Sequence, residues 1–152
     1  RSCLVGSEMC IRDRDMINAV EQATGVRPSE TYLGDINLFA VFDNEDNVSN
    51  MTPNFDAVSK LDGQGLIISS SSNQYDFVSR YFCPKYGINE DPVTGSAHTT
   101  LIPYWSEKLN KISLEAKQVS KRGGELFCEN TENRVLIGGN AVLYMKGVIE
   151  ID

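Results

Sequence analysis

The sequence predicts an α+β fold with a largely antiparallel β-sheet enclosing an apolar α-helix. Three observations carry this. About eight short strand patterns follow one another, mostly in hairpin order, against only two substantial helices. One of those helices, opening near Gly95, has Ala97, Leu101, Ile102, Tyr104, Trp105 and Leu109 around most of its circumference, so it is expected to lie enclosed by sheet. No repeat, linker or low-complexity segment divides the chain, and 152 residues can bury one core without disulfides or a structural metal.

The elements follow in order. Residues 1–14 show neither helical nor strand periodicity and resemble a translated adapter read-through; they are expected to be a non-native or irregular segment, leaving 15–152 as the structured part. Met16, Ala19, Val20 and Ala23 recur at i, i+3, i+4 and i+7, with Asp15 placed as a cap and Gly25 as a stop, which predicts a short amphipathic helix. After Arg27-Pro28, Glu30 to Leu33 and Ile36 to Phe42 read as strands, the second apolar on both faces from Leu38 onward and so covered on both sides. Asp43 to Asn50 reads as a polar turn, Asp56 to Leu61 as a brief helix, Leu66 to Ser69 as a buried strand, and Ser69 to Asn73 as a solvated loop.

From Tyr75 an alternating pattern runs to Cys83 and stops at Pro84, putting Arg80 on the same face as Val78 and Phe82, where a cation needs a partner. Ile112, Leu114, Ala116 and Gln118 alternate with Ser113, Glu115 and Lys117, giving a strand with one covered face. Strands are then predicted over Glu125 to Glu129, Arg134 to Ile137, Ala141 to Met145 and, after a Lys146-Gly147 turn, Val148 to Ile151.

Composition narrows the function. A net charge of −7 repels nucleic-acid backbones and anionic lipid, so neither is expected as a partner. The longest apolar runs fall far short of the roughly 20 residues that span a bilayer. The cysteines at 3, 10, 83 and 128 form no Cys-x-x-Cys pair, and His98 is the single histidine, so no metal and no cofactor is expected. Buried reduced thiols in a cytoplasmic protein are the expectation for the cysteines.

The stretch Asn89-Glu-Asp-Pro-Val-Thr-Gly-Ser-Ala-His98 carries the chemistry. It reads as a strand, a loop broken by proline, and a helix N-terminus. The first amides of that helix, expected free from Thr94 through Ala97, lack intrahelical acceptors and sit at the positive end of its dipole, which suits a carboxylate or phosphate. Gly95 lets a ligand come close, Ser96 adds a hydroxyl, and Asp91, four residues earlier, is placed to hold or exchange a proton. Thr94, Ala97 and His98 are accessory candidates, although a lone histidine here also reads as a hydrogen-bonded core residue. Pro103 removes an amide inside the helix and is expected to kink it or fray its first segment.

Glu90-Asp-Pro-Val-Thr-Gly-Ser-Ala-His98 with Tyr104-Trp105 resembles the signature of the PhzF-like isomerases of phenazine biosynthesis, relatives of diaminopimelate epimerase. The resemblance continues through Asp76-Phe-Val-Ser-Arg-Tyr-Phe-Cys-Pro84, Gln118-Val-Ser-Lys-Arg-Gly-Gly124, Arg134-Val-Leu and Gly138-Gly, covering about Asp15 to Asp152. It implies a two-lobed protein, each lobe a mixed, largely antiparallel β-sheet curled around a central α-helix, with the active site in the cleft between lobes and this chain as the C-terminal lobe. Asp91, Gly95 and Ser96 then correspond to substrate-contacting residues, Asp91 taking part in proton handling, while Arg122 and its glycines shape the cleft edge.

The family's acid/base glutamate and its accompanying histidine come from the other lobe, and nothing before Asp15 resembles that lobe, so this chain alone is expected to be inactive. The implied activity is a cofactor-independent proton shift on a small carboxylated metabolite. Cys83 and Cys128 lie outside the Asp91 loop, which disfavours two-thiol racemase chemistry. An epimerase or racemase, and a truncated, inactive binding or interaction module, are the alternatives. The partners implied are the carboxylate-bearing substrate and the missing N-terminal lobe, with a homodimer left open.

Overall fold

The computed structural model describes residues 14–131 and 133–150. In chain order the elements are helix α1 (Arg14–Thr24), strands β1 (Glu30–Leu33) and β2 (Leu38–Val41), short helices α2 (Glu45–Ser49) and α3 (Phe55–Val58), strands β3 (Leu66–Ser71), β4 (Phe77–Phe82) and β5 (Glu90–Asp91), helix α4 (Gly95–Leu109), and strands β6 (Ser113–Gln118), β7 (Gly124–Asn130) and β8 (Val135–Gly138). All eight strands join one sheet in the order β1-β2-β3-β4-β6-β7-β8, with β5 beside β4. The architecture is the mixed, mostly antiparallel α+β sheet expected.

Two neighbouring pairs are parallel, β2 with β3 and β4 with β6. Parallel neighbours need a long crossover, and each crossover here carries helix: α2 and α3 join β2 to β3, and α4 joins β4 to β6. The two crossovers cover opposite faces. Leu38 and Ala40 of β2 pack with Val20 of α1, Val48 of α2 and Val58 of α3, whereas Phe39 and Val41 join Leu101, Tyr104 and Trp105 of α4. This alternation explains a strand buried at every position. Beyond β4 the buried strand residues Leu114, Ala116, Leu126 and Cys128 all lie on the α4 face.

Helix α4 buries Ala97, His98, Leu101, Ile102, Tyr104, Trp105 and Ser106 and runs through Pro103. No frayed first segment is seen, because the helix is already regular at Gly95 and packing holds it. It ends on Asn110, whose φ of 52° is a left-handed stop that asparagine tolerates. Trp105 stacks on Phe77 at 5.8 Å, meets Tyr104 edge-on, and donates its indole N–H to Ser69 Oγ at 2.9 Å.

Several boundaries differ from the sequence reading. Helix α1 opens at Arg14, so Asp15 lies inside its first turn, not at its cap, and acts on the dipole there. Gly25 ends the helix as expected, with φ 76° and its amide bonded to the Glu21 carbonyl. The polar stretch 43–50 contains α2, nucleated by Asn44 accepting from the Asn47 amide at 2.9 Å. Ser69 and Ser70 are not a solvated loop; both are buried in β3, and Ser69 Oγ donates to the Val78 carbonyl at 2.6 Å while receiving Trp105.

Ile112 precedes β6 and is exposed, outside the shelter of α4. Among the described residues no strand follows Gly138: Ala141 to Met145 and Val148 to Glu150 take no regular secondary structure, and Val142, Leu143 and Tyr144 are exposed. Of residues 1–14, expected to be non-native or irregular, 1–13 lie outside the described residues and Arg14 instead opens α1; the end of the last expected strand also lies outside the described residues. No described helix is long and apolar enough to cross a membrane.

Arg80 has the partner its position demands. Its guanidinium grips Glu90 through two bonds of 2.7 and 3.0 Å, and a third nitrogen donates to the Met51 carbonyl at 2.7 Å. The pair ties β4, β5 and the segment after α2 together just before Asp91.

Candidate functional site

The loop from Asp91 to Thr94 leads from β5 into α4 and is held from below by β6 and the turn after it. Gln118, the last residue of β6, accepts the Thr94 amide on its side-chain oxygen at 2.8 Å and donates to the Asp91 carbonyl at 2.7 Å. Ser120 donates to the Pro92 carbonyl at 2.6 Å. Gly124 makes room above: a Cβ there would stand 2.5 Å from Val93 Cγ2. Sequence reading placed Gln118 as a covered strand residue opening the Gln118–Gly124 motif and gave it no role at the site, since a buried glutamine carries no sign of what it bonds.

The Thr94 side chain does not cap its own helix. Its hydroxyl donates to Asp91 Oδ2 at 2.6 Å instead. The Thr94 amide, expected to be free, is consumed by Gln118. Free donors are therefore left at Gly95 and Ser96, both exposed, whose amides have no acceptor among the described residues.

Asp91, Thr94 and Ser96 line one concavity of about 560 Å³ together with Tyr81, Cys83 and the 34–37 turn. Gly95 borders a second concavity with Arg122, Gly123 and Gly124, so the first turn of α4 faces both. The structure thus brings Asp91, Gly95 and Ser96 to one helix end. Ala97 and His98 go elsewhere: both are buried in the core, and His98 lies against Phe77. His98 Nδ1 meets the Thr94 carbonyl at 2.8 Å, which places the proton on Nδ1, and its Nε2 is buried with no partner among the described residues.

Burial lowers the His98 pKa below its ordinary 6.5, the Thr94 carbonyl pulling the other way. The fold therefore favours the neutral ring, and the unfolded chain takes up more protons below pH 6.5. Stability from this group is complete above that pH and is lost as pH falls through the lowered folded value. The midpoint of thermal unfolding is expected to drop more steeply between pH 7.5 and 5 in the wild type than in His98→Gln; equal slopes would contradict this.

Two residues that sequence reading left outside the site line it. Cys83 is buried beside Asp91, and its thiol is pushed up first by burial and then by the Asp91 charge, which keeps it protonated. The sequence reading set Cys83 apart from Asp91 in disfavouring two-thiol chemistry, whereas the structure places the two in one concavity. Tyr81 pairs in register with Asp91 and donates to Asn37 Oδ1 at 2.9 Å; burial foremost pushes its hydroxyl up to about 12. Both follow from strand pairing between β4 and β5, which a two-residue strand does not announce.

These features define a class: an α+β lobe whose central helix presents open amides beside a carboxylate held by its own entry loop. A family model described as phenazine biosynthesis-like protein matches residues 7–147, and the chain belongs to that family. It is 46% identical over 132 residues to an uncharacterized isomerase of Pseudomonas aeruginosa, covering 87% of this chain and 51% of that protein. An uncharacterized isomerase of Halalkalibacterium halodurans is 40% identical, with 85% and 49% covered. The crystal structure of a PhzF-family phenazine biosynthesis protein from Enterococcus faecalis superposes with a TM-score of 0.83 at 48% identity, covering 95% of this chain and 54% of that one. The chain spans about half the length of the curated relatives it matches.

Proposed function

We propose that this chain supplies one half of the cleft of a cofactor-independent isomerase that shifts a proton on a small carboxylate-bearing metabolite. The Gly95 and Ser96 amides hold the substrate's carboxylate at the positive end of α4, and Asp91 exchanges a proton with the substrate. The observation that carries this reading is the juxtaposition at one helix end of unpaired amides and a hydrogen-bonded carboxylate. A 1,3 proton shift asks for an acid/base group and a site that fixes the ring, and the residues here match that requirement. The names of the Pseudomonas and Halalkalibacterium relatives agree with an isomerase. The second acid/base group is assigned to the half that those longer proteins carry in addition.

The test joins this chain to the complementary half of the Pseudomonas relative and supplies a cyclic dienyl carboxylate in deuterated water. Deuterium is expected at one carbon as the double bond migrates, and Asp91→Asn is expected to fold while slowing the reaction about 10²- to 10⁴-fold. Inversion at a labelled stereocentre would replace this reading with an epimerase, and the absence of any labelling would contradict it.

A further inference from the structure

We infer that Gln118 is a positioning residue for this site: its side-chain amide fixes the Asp91 carboxylate and keeps the Gly95 and Ser96 amides open to the substrate's anionic group. The inference rests on the proposed reading of the site and extends it to a residue that touches no ligand.

Gln118 is fully buried at the end of β6. A buried side-chain amide must place its oxygen on donors and its nitrogen on acceptors. Here the oxygen accepts the Thr94 N–H at 2.8 Å, and the nitrogen donates to the Asp91 carbonyl at 2.7 Å and to Thr94 Oγ1 at 3.1 Å. The reverse orientation would set two donors together at Thr94 and two acceptors at Asp91, so the network fixes the direction. A hydroxyl has one hydrogen. Because Thr94 Oγ1 receives from Gln118, its own hydrogen goes to Asp91 Oδ2, 2.6 Å away, giving a relay from amide to hydroxyl to carboxylate.

Two consequences reach the site. Asp91 is held through Oδ2 while Oδ1 keeps no partner among the described residues. The second concerns the helix end. A threonine at an N-cap ordinarily accepts from an amide two or three residues on; this one makes no cap bond, because Gln118 and Asp91 engage its hydroxyl. Removing the Gln118 donor frees that hydroxyl to turn onto its own helix and occupy the amides assigned to the substrate.

The test compares the 152-residue chain with Gln118→Met and Gln118→Glu by amide hydrogen exchange and by NMR titration with 3-hydroxyanthranilate. In the wild type the Thr94 amide is expected to be protected and Gly95 and Ser96 to exchange freely. In Gln118→Met, Thr94 should lose protection, Ser96 or Ala97 should gain it, and affinity for the probe should fall about tenfold or more, the loss of a charge-assisted hydrogen bond. In Gln118→Glu, an ionised carboxylate would face the Asp91 carbonyl and the Thr94 oxygen, whereas its protonated form restores a donor. Its affinity should therefore recover as pH is lowered toward 5, a dependence the wild type lacks, and this arm holds even if Gln118→Met fails to fold.

A purely structural glutamine would lower the melting midpoint of both variants and leave the exchange pattern and probe affinity, read well below that midpoint, at wild-type values; that result overturns the inference. A wild type with the expected exchange pattern but no affinity for the probe strikes instead at the functional reading on which the inference rests.

Discussion

Replacing Trp105 by alanine is expected to destabilise the chain by about 3–5 kcal/mol, a fall in melting midpoint on the order of 10 °C for a domain of this size. The indole is 4% exposed and sits where the α4 face of the sheet converges. It stacks on Phe77 from β4, meets Tyr104 at right angles and anchors on Ser69 of β3. Truncation removes the apolar contacts of one of the largest side chains in the core and leaves a cavity that a helix crossing a curved sheet cannot close. Thermal denaturation followed by circular dichroism checks this, with Trp105→Phe expected to lose distinctly less. An unchanged midpoint for the alanine variant would contradict the central placement of α4.

Gly95→Ala is expected to do the opposite, leaving the fold intact and damaging the site. A Cβ built at Gly95 meets nothing within 4 Å, and the residue does not adopt a positive φ, so the fold accepts a methyl group. Restricting the unfolded chain should even raise stability by about 0.4–1 kcal/mol. The methyl occupies open space at the amides to which the anion is assigned. Affinity for 3-hydroxyanthranilate should fall about tenfold or more, equivalent to about 1.4 kcal/mol or more. The paired readout separates the explanations: a lowered midpoint would mean that the space serves packing, and unchanged affinity that no ligand approaches there.

Much of the fold was legible in the residues because burial leaves a period. The two-sided run at Leu38 to Val41 and the one-sided alternation of Leu114, Ala116 and Gln118 each report which faces are covered, and the structure covers those faces. Arg80 was equally readable, since a cation on an apolar face requires a partner, and Glu90 supplies it. What failed to show was polarity satisfied out of sight. Ser69, read as both strand end and loop start, belongs inside β3, where Trp105 and the Val78 carbonyl account for its hydroxyl, and α2 hides in a polar stretch because a single asparagine cap starts it.

The error at the other end of the chain has a converse cause. Ala141 to Met145 has the composition of a strand, yet no described strand lies alongside to receive its backbone, and propensity without a neighbour makes no sheet. At the start of α4, the motif groups Asp91, Gly95 and Ser96 because they are close in sequence. It gave Thr94 a free amide that Gln118 takes, and it passed over Tyr81 and Cys83, which only the pairing of β4 with β5 brings near Asp91.

The proposed function requires the first turn of α4 to offer open backbone donors to an anion beside Asp91. The most direct measurement is a ¹⁵N NMR titration of the wild-type chain with 3-hydroxyanthranilate and, in parallel, with its uncharged carboxamide. Saturable shifts of the Gly95 and Ser96 amides are expected with the carboxylate alone, with a Thr94 amide that barely responds because Gln118 already holds it. Equal shifts with the uncharged compound, or none at Gly95 and Ser96 while other residues move, would contradict it.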